Sequence, residues 1–213
     1  MKILSFAAAI FSFSLLLVSC QKEVNFQFDN GNSGNGNNNN SNIVGEYSFL
    51  GVKSEGMSSV EVVDAGSTLK SLTTFAYTSF DNQGFVKISS SKITFSKVGY
   101  ELDTLMNNKT YIDGSLFADT DVPFTFSYPA SSPDVSSDYK KNSADSITLT
   151  GQTFFADPNA GTSGNQPVGV KIVWSSDTLR LYMRSIVNSP VSQGGVTGTL
   201  TGDMKSILIL KKK

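Results

Sequence analysis

Beyond residue 43, hydrophobic and polar side chains alternate in short runs with a period of two. Phe124, Phe126 and Tyr128 alternate with Thr125 and Ser127. Ile147 and Leu149 alternate with Ser146, Thr148 and Thr150, and Leu179, Leu181 and Met183 stand opposite Arg180, Tyr182 and Arg184. Such alternation sends one set of side chains into a core and the other into water, as on a half-buried strand. Similar runs occupy 43–50, 73–80, 85–88, 93–95, 100–106, 110–112, 171–174 and 206–210. Turns are expected at Asp81–Gly84, Asn107-Asn108 and Asp113-Gly114, and a short helical turn over 65–72. No segment past residue 43 keeps a helical period over four turns. The pattern predicts an all-β domain of about eight to ten strands, either an antiparallel up-and-down barrel or, alternatively, a two-sheet β-sandwich. The final run, Ser206 to Leu210, is apolar without a break and would invite aggregation as an open edge. It is therefore expected to pair with the Ile43 strand and close a barrel, with Lys211 to Lys213 as charged stops.

The first 42 residues follow a different pattern. Lys2 precedes an apolar run over 3–18 broken only by serines. That run is shorter than the ~20 apolar residues a membrane-spanning helix needs, and it reads as a signal peptide. It ends in Leu17-Val18-Ser19-Cys20, which resembles the lipobox of bacterial lipoproteins. The resemblance implies a diacylglyceryl group on the Cys20 sulfur, cleavage after residue 19 and acylation of the new amine. Several acyl chains make a stable membrane anchor where one does not. Gln21 stands where the family places an inner-membrane retention Asp, which implies the outer membrane. Gln21-Lys22-Glu23 resembles the start of the export signals of surface lipoproteins of Bacteroidota and favours the cell surface over the periplasmic face. Residues 29–42 read DNGNSGNGNNNNSN, with no apolar side chain to offset the entropy of ordering. The chain thus divides into a signal peptide (1–19), a lipidated Cys with an Asn/Gly-rich tether (20–42) and a single β domain (43–213).

Composition narrows the chemistry. The chain has no histidine and one cysteine. That excludes an imidazole base, a Ser-His-Asp relay, a histidine metal ligand, an internal disulfide and a thiolate cluster. With 17 basic and 18 acidic side chains it has no concentrated basic face for nucleic acid. Most carboxylates, Asp81, Asp113 and Asp177 among them, sit in turn signals, where Asp is expected as a turn former. Asp113, Asp119 and Asp121 lack the spacing of a calcium loop, and no glycine-rich phosphate loop is present. The reading is a protein that is not an enzyme, without metal or cofactor.

The segment Ile43-Val44-Gly45-Glu46-Tyr47 resembles the opening of lipocalin-like domains, which carry an apolar residue and then Gly-x-Trp. Ser146 to Thr150 and Lys171 to Tyr182 are similar to the late hairpin of the small lipocalin-like lipoproteins of Bacteroidota. The resemblance implies an eight-stranded up-and-down barrel, closed at one end by Tyr47 in place of Trp, with a mouth that holds a small apolar or amphipathic ligand. Phe75, Phe95, Phe124, Phe126, Phe154 and Trp174 are the aromatics that line such a cavity or pack as core, and an eight-stranded barrel has room for either. Phe124 and Phe126 mark the expected mouth. The first functional expectation is therefore a lipid-anchored outer-membrane lipoprotein that binds a small ligand. The alternatives are a structural or interaction lipoprotein, such as a surface adhesin or accessory subunit with an outer-membrane protein partner, and a carbohydrate-binding β-sandwich.

Overall fold

The computed structural model describes residues 42–130, 133–150, 167–193 and 196–213. The signal peptide, Cys20, nearly all of the tether and Phe154 lie outside the described residues. The domain is all-β, and every strand pairing is antiparallel. Its strands are β1 (Gly45–Asp64), β2 (Ser67–Thr78), β3 (Phe80–Ile88), β4 (Lys92–Ile112), β5 (Ser115–Tyr128), β6 (Val135–Lys141), β7 (Ser146–Thr150), β8 (Val168–Ser175), β9 (Thr178–Gln193) and β10 (Val196–Lys212).

Ten strands form a ring of eight. β2 and β3 run in line along β1: β2 covers Lys53 to Asp64 and β3 covers Gly45 to Ser48. β5 and β6 run in line along β4 in the same way. Counting each in-line pair once, the chain goes up and down around the ring in sequence order. β10 closes it against β1, from Tyr47↔Lys212 to Val62↔Gly198. The expected closure is thus found, and the sandwich alternative is not the architecture adopted. The charged stops are also anchored: Lys211 pairs with Asp177 at 3.5 Å, and Lys213 Nζ lies 3.6 Å over the Phe85 ring.

Three local expectations need correction. Residues 65–72 hold no helical turn; Ala65 and Gly66, both at positive φ, turn β1 directly into β2. Asp81 to Gly84 is not a hairpin turn but a kink inside β3. There Ser79 donates its amide to the Val52 carbonyl while its hydroxyl accepts from the Val52 amide, so β1 spans the β2/β3 junction. Asn107-Asn108 do not break β4 either. Asn108 Nδ2 donates to Thr73 Oγ1 at 3.0 Å and to Ser71 Oγ at 3.3 Å, and Asn107 Nδ2 donates to Asp119 Oδ1 at 2.7 Å. Partners on the flanking strands satisfy the amides that would otherwise favour a turn.

Among the described residues the strands differ in length. β7 has 5 residues and β8 has 8, whereas β1 has 20, β4 has 21 and β10 has 17. At the low end all eight walls enclose a core of Tyr47, Phe49, Val86, Ile88, Ile93, Ile147, Leu179, Leu181, Leu208 and Leu210, each at most 3% exposed. Beyond the low end, β9, β10, β1, β2, β4 and β5 pair with one another as a tall six-stranded wall among the described residues.

Candidate functional site

Of the six aromatics named from the sequence, the five that are described face inward, but at two levels. Trp174 and Phe95 belong to the packed low end with Tyr47. Trp174 pairs with Leu179, which pairs with Leu210, which pairs with Phe49. The Trp174 and Tyr47 rings lie 6.2 Å apart and tilted by 41°. Phe95 pairs with Val86, which pairs with Tyr47. Tyr47 is fully buried, and its hydroxyl donates to the Ile43 carbonyl at 2.7 Å. Burial, with a smaller push from the neighbouring Tyr139, raises its phenol to about 12. The indole Nε1 of Trp174 is buried and has no hydrogen-bond partner among the described residues.

Phe75, Phe124 and Phe126 stand higher, along the upper reaches of the long strands β2 and β5. Phe75 is buried and stacks on Tyr77 at 6.1 Å. It lies across Gly56, where an added Cβ would come within 2.9 Å of the Phe75 ring and 2.8 Å of the Asp203 carbonyl. Phe126 packs on Tyr100 at 5.9 Å, and Tyr100 stacks on Tyr128 at 5.8 Å. Phe124 and Phe126 are half-buried, as are Met106 and Met204, and all four pack against the core from above. This aromatic and methionine ledge caps the core beneath the tall wall. The sequence places Phe75, Phe95, Phe124, Phe126, Phe154 and Trp174 in one group, of which Phe154 lies outside the described residues. The structure brings Phe75, Phe124 and Phe126 onto one ledge and sends Phe95 and Trp174 to the opposite end.

The residues that sequence reasoning missed lie on the outer face. A groove of about 850 Å³ runs across β8, β9, β10, β1 and β2 where the ring gives way to the tall wall. One cross-strand row crosses its middle: Lys171, Tyr182, Ile207, Lys53 and Thr78, each directly opposite the next. On its upper side Arg184 and Asp203 form a two-pronged ion pair, with Nε to Oδ1 at 2.8 Å and Nη2 to Oδ2 at 2.7 Å. That bond holds the Asp203 carboxyl below the usual carboxylate range. Lys205 reaches Glu55 only at 4.0 Å. A second hollow of about 510 Å³ adjoins the groove through Glu55, Ala76 and Lys205 and exposes Met57 and Leu105. No signal along the chain brings these residues together, because they come from five strands that only the register of the ring sets side by side.

The acidic residues do different work. Asp119 and Asp121 both accept from Asn107 Nδ2, and Lys109 reaches Asp119 at 3.4 Å. The Asn107 hydrogen bond comes first among the influences that lower the Asp119 carboxyl. Asp113 accepts from the Thr68 amide at 2.8 Å and ties the two upper hairpins together. Each is thus accounted for by side chains and amides of its own sheet. No protein-family model matches the chain, and no curated protein matches it in sequence.

Proposed function

We propose that the chain is a lipid-anchored outer-membrane lipoprotein, not an enzyme, that binds a small apolar or amphipathic ligand at the mouth of its barrel. The observation that carries this reading is the ledge of Phe75, Phe124, Phe126, Met106 and Met204. It offers large, partly uncovered apolar side chains under a tall wall, while the low end is packed. Small-molecule sites are concave, mostly apolar and polar at a few points. Here Thr104 and Asn108 on β4 and Ser71 and Thr73 on β2 share the inward face and supply the polar points. The ligand sits on the core rather than within it. The lipobox at Leu17–Cys20 supports the anchor, and Tyr47 supports the lipocalin-like comparison by filling the closed end.

Two measurements test this. Native mass spectrometry of the lipidated protein is expected to show a co-purifying small molecule, and Phe126→Ala is expected to remove it with the fold retained. A ligand-free spectrum at physiological extraction conditions refutes the binding reading. Cys20→Ala is expected to shift the protein from the detergent-rich to the aqueous phase on phase separation; retention in the detergent phase refutes the anchor. A second reading, docking of an outer-membrane protein on the tall end, is favoured by Val63, Leu116 and Phe117, which are 59%, 54% and 58% exposed near the hairpin tips. Crosslinking from Phe117 in intact membranes is expected to yield one discrete adduct on that reading and only monomer otherwise.

A further inference from the structure

We infer that the outer groove between β8 and β2 is a second binding site, directed at a small anionic amphipath: one acidic head on an apolar body. Its size, about 850 Å³, lies within the range of roughly 300–1,000 Å³ for small-molecule sites. Its chemistry has two parts. The floor is apolar and aromatic: Tyr182 and Ile207 are adjacent in the central row, Val173 lies to one side, and Ala76 lies at the β2 end. The charge is cationic. Lys53, Lys171, Arg184 and Lys205 line the groove against Glu55. Asp203 neutralises Arg184 and Glu55 stands near Lys205, so four positive charges less two negative leave two. Those two are Lys53 and Lys171, which are in none of the seven ion pairs found among the described residues.

An excess of two positive charges is a marked departure in a chain whose formal net charge is -1. The two lysines sit at the ends of the Tyr182–Ile207 strip, three strand spacings or roughly 14 Å apart. Their flexible stems allow either ammonium to meet an acidic head while the strip covers the body. A neutral ligand of the same shape would leave both ammonium groups without a counter-charge. The site is distinct from the mouth: the row faces outward, and the ledge faces inward on the same sheet.

The test uses the full lipidated chain in zwitterionic nanodiscs, with empty nanodiscs as blank. The probes are 1-pyrenebutyrate and its neutral analogue 1-pyrenebutanol, followed by fluorescence anisotropy. The butyrate is expected to bind at least tenfold more tightly than the butanol and to weaken as salt is raised. Replacing both lysines (Lys53→Gln with Lys171→Gln) is expected to erase that tenfold preference without moving the melting temperature, since both are surface side chains. The Phe126→Ala variant is expected to leave butyrate binding unchanged. Equal affinity for the two probes overturns the inference, as does unaltered butyrate binding by the double lysine variant. If Phe126→Ala instead abolishes butyrate binding, the probe occupies the mouth; the groove inference then fails while the mouth reading stands.

Discussion

Replacing Gly84 with alanine is expected to cost the domain ~3 kcal/mol or more, one of the large single-residue losses available to it. Gly84 sits at φ +107, a conformation that L side chains rarely adopt, and a Cβ there would run into the Lys97 carbonyl oxygen and come within 2.5 Å of the Val98 Cα. Those atoms are backbone, held by the pairing of β3 with β4, and cannot swing aside as a side chain would. The crowding is built into the register. Between Gln83↔Gly99 and Phe85↔Ser96, β3 advances two residues while β4 advances three, and Lys97 takes a left-handed φ of 51 to absorb the extra one. Gly114 supplies the control: it has φ +79 but nothing within 4 Å of an added Cβ. Gly114→Ala should therefore cost only the backbone strain, ~1 kcal/mol. For a domain of this size ~3 kcal/mol corresponds to a fall in melting temperature of roughly 6–12 °C. Thermal melts of the two variants side by side are the measurement, and equal shifts would show that the close approach to β4 does not matter.

What was legible in the chain is what a single strand displays. Alternation marked the inward residues of β5, β7 and β9, and the unbroken apolar run of β10 pointed to a paired, closing strand. What was not legible depends on neighbours. Asn107 and Asn108 read as a turn because their amides compete with the backbone, and only β2 and β5 supply the Ser, Thr and Asp partners that keep them in a strand. Asp81 to Gly84 carry turn chemistry and do hold unusual backbone, with φ of 48 and 107 at the two ends, yet they kink a strand instead of reversing it. Position along the strands decided the fate of the aromatics. Phe95 and Phe126 have the same inward alternation, but Phe95 lies beside Val86 and Tyr47 at the packed end and Phe126, on β5, lies across from Leu102. The groove was hidden for a related reason. Lys53, Lys171, Tyr182 and Ile207 come from four strands spread over more than 150 residues of chain, and only the register of the closed ring sets them in one row.

Alkaline titration should single out Tyr47. Its phenol is pushed up to about 12 from the ordinary 10.0, chiefly by burial. The folded state therefore holds the proton more tightly than the unfolded chain does. The stability tied to that proton is fully present below pH 10 and is lost progressively as the pH climbs through 10 toward and past 12, by roughly 2–3 kcal/mol in all. Tyr47→Phe removes the ionisation but strands the Ile43 carbonyl, which now accepts from the hydroxyl at 2.7 Å. At pH 8 the variant should be less stable by ~1–3 kcal/mol, the usual penalty for a buried acceptor without its donor. Near pH 12 the wild type will have given up about as much as the hydrogen bond contributes, so the two stabilities should converge or reverse. Groups that do not touch Tyr47 are common to both proteins and drop out of the difference. Urea unfolding of both at pH 8 and pH 11.5 reads that difference directly, and a gap that stays constant between the two pH values would mean that Tyr47 ionises as an ordinary phenol. The closed end of the ring would then be open to water at Tyr47, contrary to its complete burial among Trp174, Ile43 and Tyr139.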